Sequence, residues 1–243
     1  MPRTRFNAPW GIRRDARVKA PRVSAPLYPP LPANAIAMWH AEMDCSSTAW
    51  IDQIGGRSMA GINSPVVAAD GSFFNGLPVA QPASSGKYWR VTGLPTLAAS
   101  GTRPWVYCVG RTRVLDGVSR NLVGAGDGTG TKDFGLVQRT SSKRTIWNNT
   151  QLAADGAGDT NPHRFASWFD GVNVNIRVDG TNFPTADTSS LGTNWTEVSV
   201  GYQNAASQGH GDVSIALYLI TASAPSGPEE AALDAYTLAK WGV

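Results

Sequence analysis

From Ala35 onward, apolar and polar residues alternate in short stretches separated by clusters of Gly, Asn, Asp and Ser. A period of two puts successive side chains on opposite faces of an extended chain, so each stretch predicts a half-buried β-strand. The cleanest is Val172-Asn173-Val174-Asn175-Ile176-Arg177-Val178. It predicts four aliphatics on a core face and three polar side chains on the other. Asp170-Gly171 before it and Asp179-Gly180 after it are turn dipeptides, so the strand lies between two tight connections and pairs with Arg164–Phe169 as a hairpin. The same pattern predicts strands over Ile36–His40, Lys87–Val91, Trp105–Arg111, Asn121–Gly124, Phe134–Gln138, Arg144–Trp147, Glu197–Tyr202 and Val213–Ile220. About ten strands predict a two-sheet antiparallel sandwich.

Only the end of the chain predicts a helix. Ser226 or Gly227 caps it, Pro228 suits its first turn, Glu229 and Glu230 complement the positive end of the dipole, and Gly242 closes it. Ala232, Leu233, Tyr236 and Ala239 form the expected docking stripe, with Trp241 off it.

The 243 residues, 42% hydrophobic, suffice for one sizeable core. Only 16% are charged, and 26 Gly with 16 Pro favour many turns over long helices. No apolar run is long enough to span a bilayer, and the first thirty residues lack the apolar centre of a signal peptide. The chain is therefore expected to stay out of the membrane and the secretory route. Cys45 and Cys108 lack the companions of a disulfide framework or a zinc site and read as small buried hydrophobes.

Charge divides the chain in two. The first 23 residues carry seven basic side chains, Arg3, Arg5, Arg13, Arg14, Arg17, Lys19 and Arg22, against Asp15 alone, a balance of +6. The rest holds 14 basic against 17 acidic residues, or −3. Prolines through Pro32 bias this leader toward extended conformation, which predicts an N-terminal arm over 1–33 and a folded domain over 34–243. Such an arm is either a solvating tail or a segment that orders on a partner. Trp10, Ile12, Leu27, Tyr28 and Leu31 favour the second, because each offers an anchor that a solvating tail does not use. Nucleic acid is not the expected partner, since the arginines form no dense run and the acidic body offers no supporting patch.

Several segments in order resemble the concanavalin A-like lectin/glucanase superfamily, in particular the laminin-G-like and pentraxin-like jelly rolls of bacterial and phage proteins. Ile36–Ala41 followed by Trp50-Ile51-Asp52-Gln53 resembles the opening strand and W-x-D segment. Asn75-Gly76-Leu77-Pro78-Val79 is similar to the turn before the second strand, and His163–Gly171 through Val178-Asp179-Gly180 to the family's hairpin. Gly211–Tyr218 resembles the last core strand, and Glu229–Val243, ending in Tyr236–Val243, the closing helix and terminus. The resemblance implies two curved antiparallel sheets of six or seven strands each, with a concave face and rim loops as the usual ligand surface.

Fold does not decide chemistry, so each candidate site stands on its own residues. Retaining glycanases need two carboxylates about 5–5.5 Å apart. The nearest approach is Glu42-Met43-Asp44, expected to be a solvated loop, while Glu197 and Asp212 have no sequence-local partner. His40, His163 and His210 are too scattered to define a metal cluster, and no nucleophile elbow is present. The Gly124–Asp133 stretch lacks both the lysine and the following helix of a phosphate loop. Asp127 and Asp133, or Asp155 and Asp159, are the candidate oxygen ligands should calcium bind, although their spacing fits no EF-hand. Trp147-Asn148-Asn149 and Tyr202-Gln203-Asn204 each set an aromatic beside amides, the combination that sugar hydroxyls and ring faces require.

These observations predict a non-enzymatic virion component of a tailed phage, a capsid-decoration or head-fibre protein whose jelly roll is displayed by an arm bound to capsid or connector proteins. It would be made in the host cytoplasm and leave by lysis. A lectin or receptor-binding module for cell-surface glycans is the alternative, and a polysaccharide hydrolase or lyase the third.

Overall fold

The structure, a computed structural model, describes residues 28–83, 86–99, 101–127, 134–147, 150–155, 157–186, 194–202 and 211–243. In chain order its strands are β1 (Ala35–His40), β2 (Ala49–Ile51), β3 (Ser58–Ile62), β4 (Val66–Ala69), β5 (Pro78–Gln81), β6 (Tyr88–Val91), β7 (Trp105–Thr112) and β8 (Arg120–Gly126). There follow β9 (Phe134–Arg139), β10 (Ser142–Trp147), β11 (Thr150–Asp155), β12 (His163–Phe169), β13 (Asn173–Val178), β14 (Thr181–Ala186), β15 (Glu197–Val200) and β16 (Val213–Thr221), then the helix α1 (Gly227–Trp241).

They form two eight-stranded sheets, all of whose pairings are antiparallel. Sheet A runs β14-β13-β12-β7-β16-β5-β4, with β1 also on β16; sheet B runs β11-β10-β9-β8-β15-β6-β3-β2. The fold is thus an all-β jelly-roll sandwich closed by one short helix, with more strands than the expected ten. All ten predicted strands are present. The additional β2, β3, β4, β5, β11 and β14 are short or rich in Ala, Gly and Pro, residues that carry little strand preference.

One core lies between the sheets and contains Trp39, Trp89, Cys108, Val123, Leu136, Ile176, Val198 and Tyr218. A second lies outside sheet A, where Leu233, Tyr236 and Trp241 of α1 cover Met38, Tyr107, Val109, Leu217 and Leu219. β7 alternates cleanly, with Val106 and Cys108 inward and Trp105, Tyr107 and Val109 toward the helix. β16 changes parity at a bulge between Ile215 and Leu217, so Ile215 and Tyr218 share the inner face. Gly110 makes room for that bulge: a Cβ there would lie 2.6 Å from Ile215 Cδ1.

The helix boundaries match the expectation: Ser226 is the cap, Pro228 lies in the first turn, and Gly242 closes the helix at φ 76°. The stripe differs. Leu233, Tyr236, Thr237 and Trp241 are buried, whereas Ala232 and Ala239 face solvent. Trp241 follows Thr237 by four residues and stays on the face that already holds the large rings. In the hairpin, Val174, Ile176 and Val178 are buried as expected, and Gly171 and Gly180 have φ of 106° and 88°. Val172 instead lies in the bend and is 65% exposed. Asp170 takes its place in the turn, accepting the amides of Val172 and Asn173, and these bonds hold its carboxyl down to about 2. Cys108 is buried and Cys45 half-buried, both as free thiols.

Of the predicted arm, Arg3, Arg5, Trp10, Ile12, Arg13, Arg14, Arg17, Lys19, Arg22 and Leu27 lie outside the described residues. Tyr28, Pro30 and Leu31 are exposed, while Pro29 and Pro32 are buried. Ala33 N–H donates to Glu229 Oε1 at 2.9 Å, which fixes this segment beside the start of α1.

Candidate functional site

The helix covers the centre of sheet A, while the outer face of sheet B, buried along β8, β9 and β15, carries part-exposed aromatic and charged side chains beside β6. Its residues are set by the core: with Trp89, Val123, Leu136, Val198 and Val200 turned inward, their neighbours Tyr88, Arg90, Gly124, Gly135, Glu197 and Ser199 belong to the outer face. Register places Ala60, Arg90, Ser199, Gly124 and Gly135 in one row across five strands. All but Arg90 are small.

Tyr202 is laid onto this row by the chain after β15. Gly201 turns the backbone at φ 75°, and its N–H donates to Leu122 O at 3.0 Å. Ser199 Oγ donates to Tyr202 O at 2.7 Å. A Cβ on Gly124 would come within 3.3 Å of that carbonyl, so the close approach of the turn uses the missing side chain. The Tyr202 ring then stacks on Tyr88, centroids 4.4 Å apart and planes 18° from parallel. The Arg90 guanidinium lies 5.3 Å from the Tyr202 centroid, within cation–π range. Arg90 is held in turn by both oxygens of Glu197, through Nε at 2.8 Å and Nη2 at 2.6 Å. Hydrogen bonding to Glu197 raises the Arg90 pKa against the opposing effect of burial. Glu197 is 3% exposed and Arg90 26%. The result is a half-buried pair of aromatic rings beside a fixed guanidinium, able to hold the CH face of a ring and direct polar groups at its edge.

Tyr202 is the sequence-predicted residue that this arrangement contains. Its companions Gln203 and Asn204, like Asn148 and Asn149, lie outside the described residues. Trp147 pairs with Thr150 at the end of the β10–β11 hairpin. β9 and β8 separate β10 from β15, three strand spacings of about 4.8 Å each, so the two predicted aromatic clusters are not brought together. Tyr88 and Arg90 were legible as the polar phase of Lys87–Val91, but nothing local connects them with Tyr202, more than a hundred residues away.

Of the carboxylates weighed for catalysis, Glu42, Glu197 and Asp212 are ion-paired, and the exposed Asp44 accepts from Gln53 Nε2 at 3.3 Å. Glu42 meets Lys240 Nζ at 3.1 Å beside the helix, while Glu197 meets Arg90 on the opposite layer, so the two do not flank one bond. The Glu42–Asp44 segment is a loop as expected, but only Asp44 in it is solvated: Met43 packs in the second core and Glu42 is largely covered. Asp212 pairs with Arg120 at 3.1 Å.

His163 lies between two acids, Nδ1 to Asp179 Oδ2 at 2.6 Å and Nε2 to Asp159 Oδ1 at 2.8 Å. Burial pulls its pKa down, but the bonds to Asp179 and Asp159 outweigh it and hold the imidazole above 6.5. The acids occupy opposite sides of the ring and do not converge on one metal position; among the described residues no cluster of three or more His, Cys, Asp or Glu does so. Asp159, a calcium candidate by sequence, also faces Lys143 Nζ at 3.0 Å and so serves two cationic side chains instead. Asp133 lies outside the described residues. His40 is buried with Nε2 3.0 Å from Tyr236 Oη, and burial followed by the Lys240 charge lowers it to about 4.

No protein-family model matches the chain, and no curated protein matches it. Solved structures share the fold at low identity. The binding domain of botulinum neurotoxin DC in complex with SialylT aligns at a TM-score of 0.61 and 8% identity, over 84% of this chain and 52% of that one. A GH54 α-L-arabinofuranosidase soaked with a cyclic sulfate inhibitor aligns at 0.58 and 14%, over 89% and 61%. A Trypanosoma rangeli sialidase aligns at 0.56 and 11%, over 86% and 33%. The chain therefore spans only about a third to three fifths of the length of these proteins, and the likeness is one of β-sandwich architecture.

Proposed function

We propose that this chain is a non-catalytic glycan-binding module whose contact surface is the outer face of sheet B around Tyr88 and Tyr202. The observation that carries this reading is the stacked tyrosine pair locked by the Arg90–Glu197 fork. Such a surface binds sugar rings through their CH faces and selects orientation through the guanidinium. The neurotoxin domain of the same architecture, held in complex with SialylT, supports the class of ligand. Engagement of Glu42 and Glu197 by Lys240 and Arg90 favours binding over hydrolysis.

The test is a glycan array probed with wild type and with Tyr202→Ala. Binding to a defined set of glycans, weakened about tenfold or more by Tyr202→Ala in a protein of unchanged fold, is expected. Absence of any glycan binding, or binding indifferent to Tyr88 and Tyr202, removes the proposal. Release of reducing sugar that Glu197→Gln abolishes would make the chain a hydrolase.

A second reading concerns where the module is carried. Tyr28 and Leu31 stay exposed beside the buried Pro29 and Pro32, so the basic leader joins the body next to the start of α1 with two apolar side chains still unburied. This favours attachment to a larger assembly, the virion of a tailed phage, through that segment. A chain shortened to residues 34–243 is expected to fold yet fail to enter particles. Incorporation at full occupancy would place attachment in the sandwich.

A further inference from the structure

Away from sheet B, a cleft of about 310 Å³ opens where the end of α1, the turn after β4 and the loop before β12 meet. We infer that this cleft is a second, independent binding site, shaped for one uncharged sugar residue at the end of a glycan. Its walls are Phe73, Pro162 and Trp241, and its polar edges are Ser72, Asn75 and Asn161. The volume falls at the lower end of the range for small-molecule sites.

The walls are held in place by a single guanidinium. Arg111 on β7 forks onto Asp70, Nε to Oδ2 at 2.6 Å and Nη2 to Oδ1 at 3.0 Å, and Ser214 Oγ donates to the same carboxylate at 2.7 Å. Its Nη1 donates to Thr160 O at 2.6 Å, directly before Asn161, and its face lies 3.9 Å from the Phe73 centroid. One buried side chain thus braces both sides of the cleft. The floor is tied as well: Asn75 Nδ2 donates to Lys240 O at 3.0 Å, and the Asn75 Oδ1 would lie 3.3 Å from a Cβ on Gly242.

The backbone at this point is strained. Phe74 and Asn75 adopt φ of 53° and 55°, followed by Gly76 at 72°. Left-handed backbone costs about 1–2 kcal/mol per non-glycine residue, and it gathers where a site must be pre-shaped. Here it sends the Phe74 ring into the second core, 1% exposed, and leaves Phe73 and Asn75 at the cleft.

The lining decides the ligand. None of the side chains named carries a charge, and among the described residues the neighbouring guanidinium groups are already engaged, Arg111 by Asp70 and Thr160 and Arg113 by Asp70 at 3.9 Å, so an acidic group entering the cleft would leave water without meeting an unengaged cation. Ser72 and Asn161 are exposed, and their side chains make no hydrogen bond among the described residues. Hydroxyl and amide groups both donate and accept, which matches adjacent sugar hydroxyls, while Phe73 and Pro162 offer apolar surface to the ring.

The experiment is saturation-transfer NMR on the whole chain with methyl glycosides of glucose, galactose, mannose, fucose and N-acetylglucosamine, and with N-acetylneuraminic and glucuronic acids as charged probes. Transfer to at least one neutral glycoside is expected. Measured in a Tyr202→Ala background, which removes the platform on sheet B, Asn161→Ala with Ser72→Ala should weaken it about tenfold; both changed cleft residues are exposed, so the melting temperature should hold. Absence of transfer from every neutral glycoside, or equal transfer to the acidic probes, overturns the inference. Transfer that Tyr202→Ala removes and the cleft variants leave intact overturns it too, while supporting the platform on sheet B.

Discussion

Two buried histidines with opposite shifts should give the protein a stability maximum near pH 6.5. His40 is enclosed by Tyr236, Trp241, Glu42 and Lys240, and its pKa falls from 6.5 to about 4. Below pH 6.5 the unfolded chain takes up a proton that the folded imidazole refuses, so stability is lost as the pH falls from 6.5 toward 4. A difference of about 2.5 units corresponds to about 3 kcal/mol, a large part of the 5–15 kcal/mol typical of a domain. His163 acts in the other direction. Its pKa lies above 6.5 because Asp179 and Asp159 hold the imidazolium, with Lys143 and Arg164 facing the same acids. Its contribution is complete below pH 6.5 and disappears as the pH rises through the folded value. Asp70, Asp159 and Asp179 are lowered below 3.8 and withdraw their contributions only in stronger acid. Urea unfolding followed by tryptophan fluorescence between pH 4.5 and 9, at constant ionic strength, reads the curve. His40→Gln should flatten the acidic limb and His163→Gln the alkaline one. A wild-type curve that climbs from pH 6.5 to 8, or an acidic limb that survives His40→Gln, refutes the reasoning.

Arg111→Met leaves Asp70 buried beside Ser214 and should cost about 3–5 kcal/mol, a fall of about 6–20 °C in melting temperature, while a partner change of Asp70→Leu should recover part of it; a single variant that melts as wild type would mean that the pair is solvated. Gly180→Val should cost at least about 1–2 kcal/mol from φ alone, since nothing lies within 4 Å of its Cβ position, and Gly171→Val must in addition displace Arg103; unchanged denaturation midpoints would contradict the left-handed turns. Leu233→Ala should cost about 2–5 kcal/mol in urea unfolding by emptying the contact of α1 with sheet A, and a cost below 1 kcal/mol would show that the helix is dispensable.

What could be read from the chain depended on how many faces of a strand are buried. β13 shows its two phases plainly because its polar face holds Asn173, Asn175 and Arg177. β7 and β16 are buried along their whole length, since the second sheet lies on one side and α1 on the other, and Trp105–Thr112 and Val213–Thr221 therefore read as apolar runs rather than alternation. The helix stripe was misplaced for a related reason. Ala232 and Ala239 fit the spacing as well as any residue, yet a flat sheet surface rewards the larger Leu233, Tyr236 and Trp241, and the small side chains rotate outward. Register was carried by turns. Asp170 and Asp179, each beside a glycine, fix both ends of β13 through bonds that a dipeptide can announce.

The site was legible only in halves, because its chemistry is assembled by register rather than by motif. Tyr202 beside its amides suggested a platform, but a single ring at a strand end is equally good core, and the deciding partner sits on β6. Antiparallel pairing of β15 with β6 brings Ser199 opposite Arg90 and Val200 opposite Trp89. From there Glu197 reaches Arg90, and the turn at Gly201 returns Tyr202 to Tyr88. Glu197 illustrates how a residue's role is set by this pairing: weighed in its own strand, it is a solitary acid of possible catalytic use, whereas across the strand it is the clamp that keeps a guanidinium against an aromatic ring. The helix completes the same division of labour at the level of layers. By packing on the centre of sheet A it buries β7 and β16 on both faces, whereas on sheet B the side chains of Tyr88, Arg90 and Tyr202 stay part-exposed beside β6, where they can meet a ligand without weakening the core.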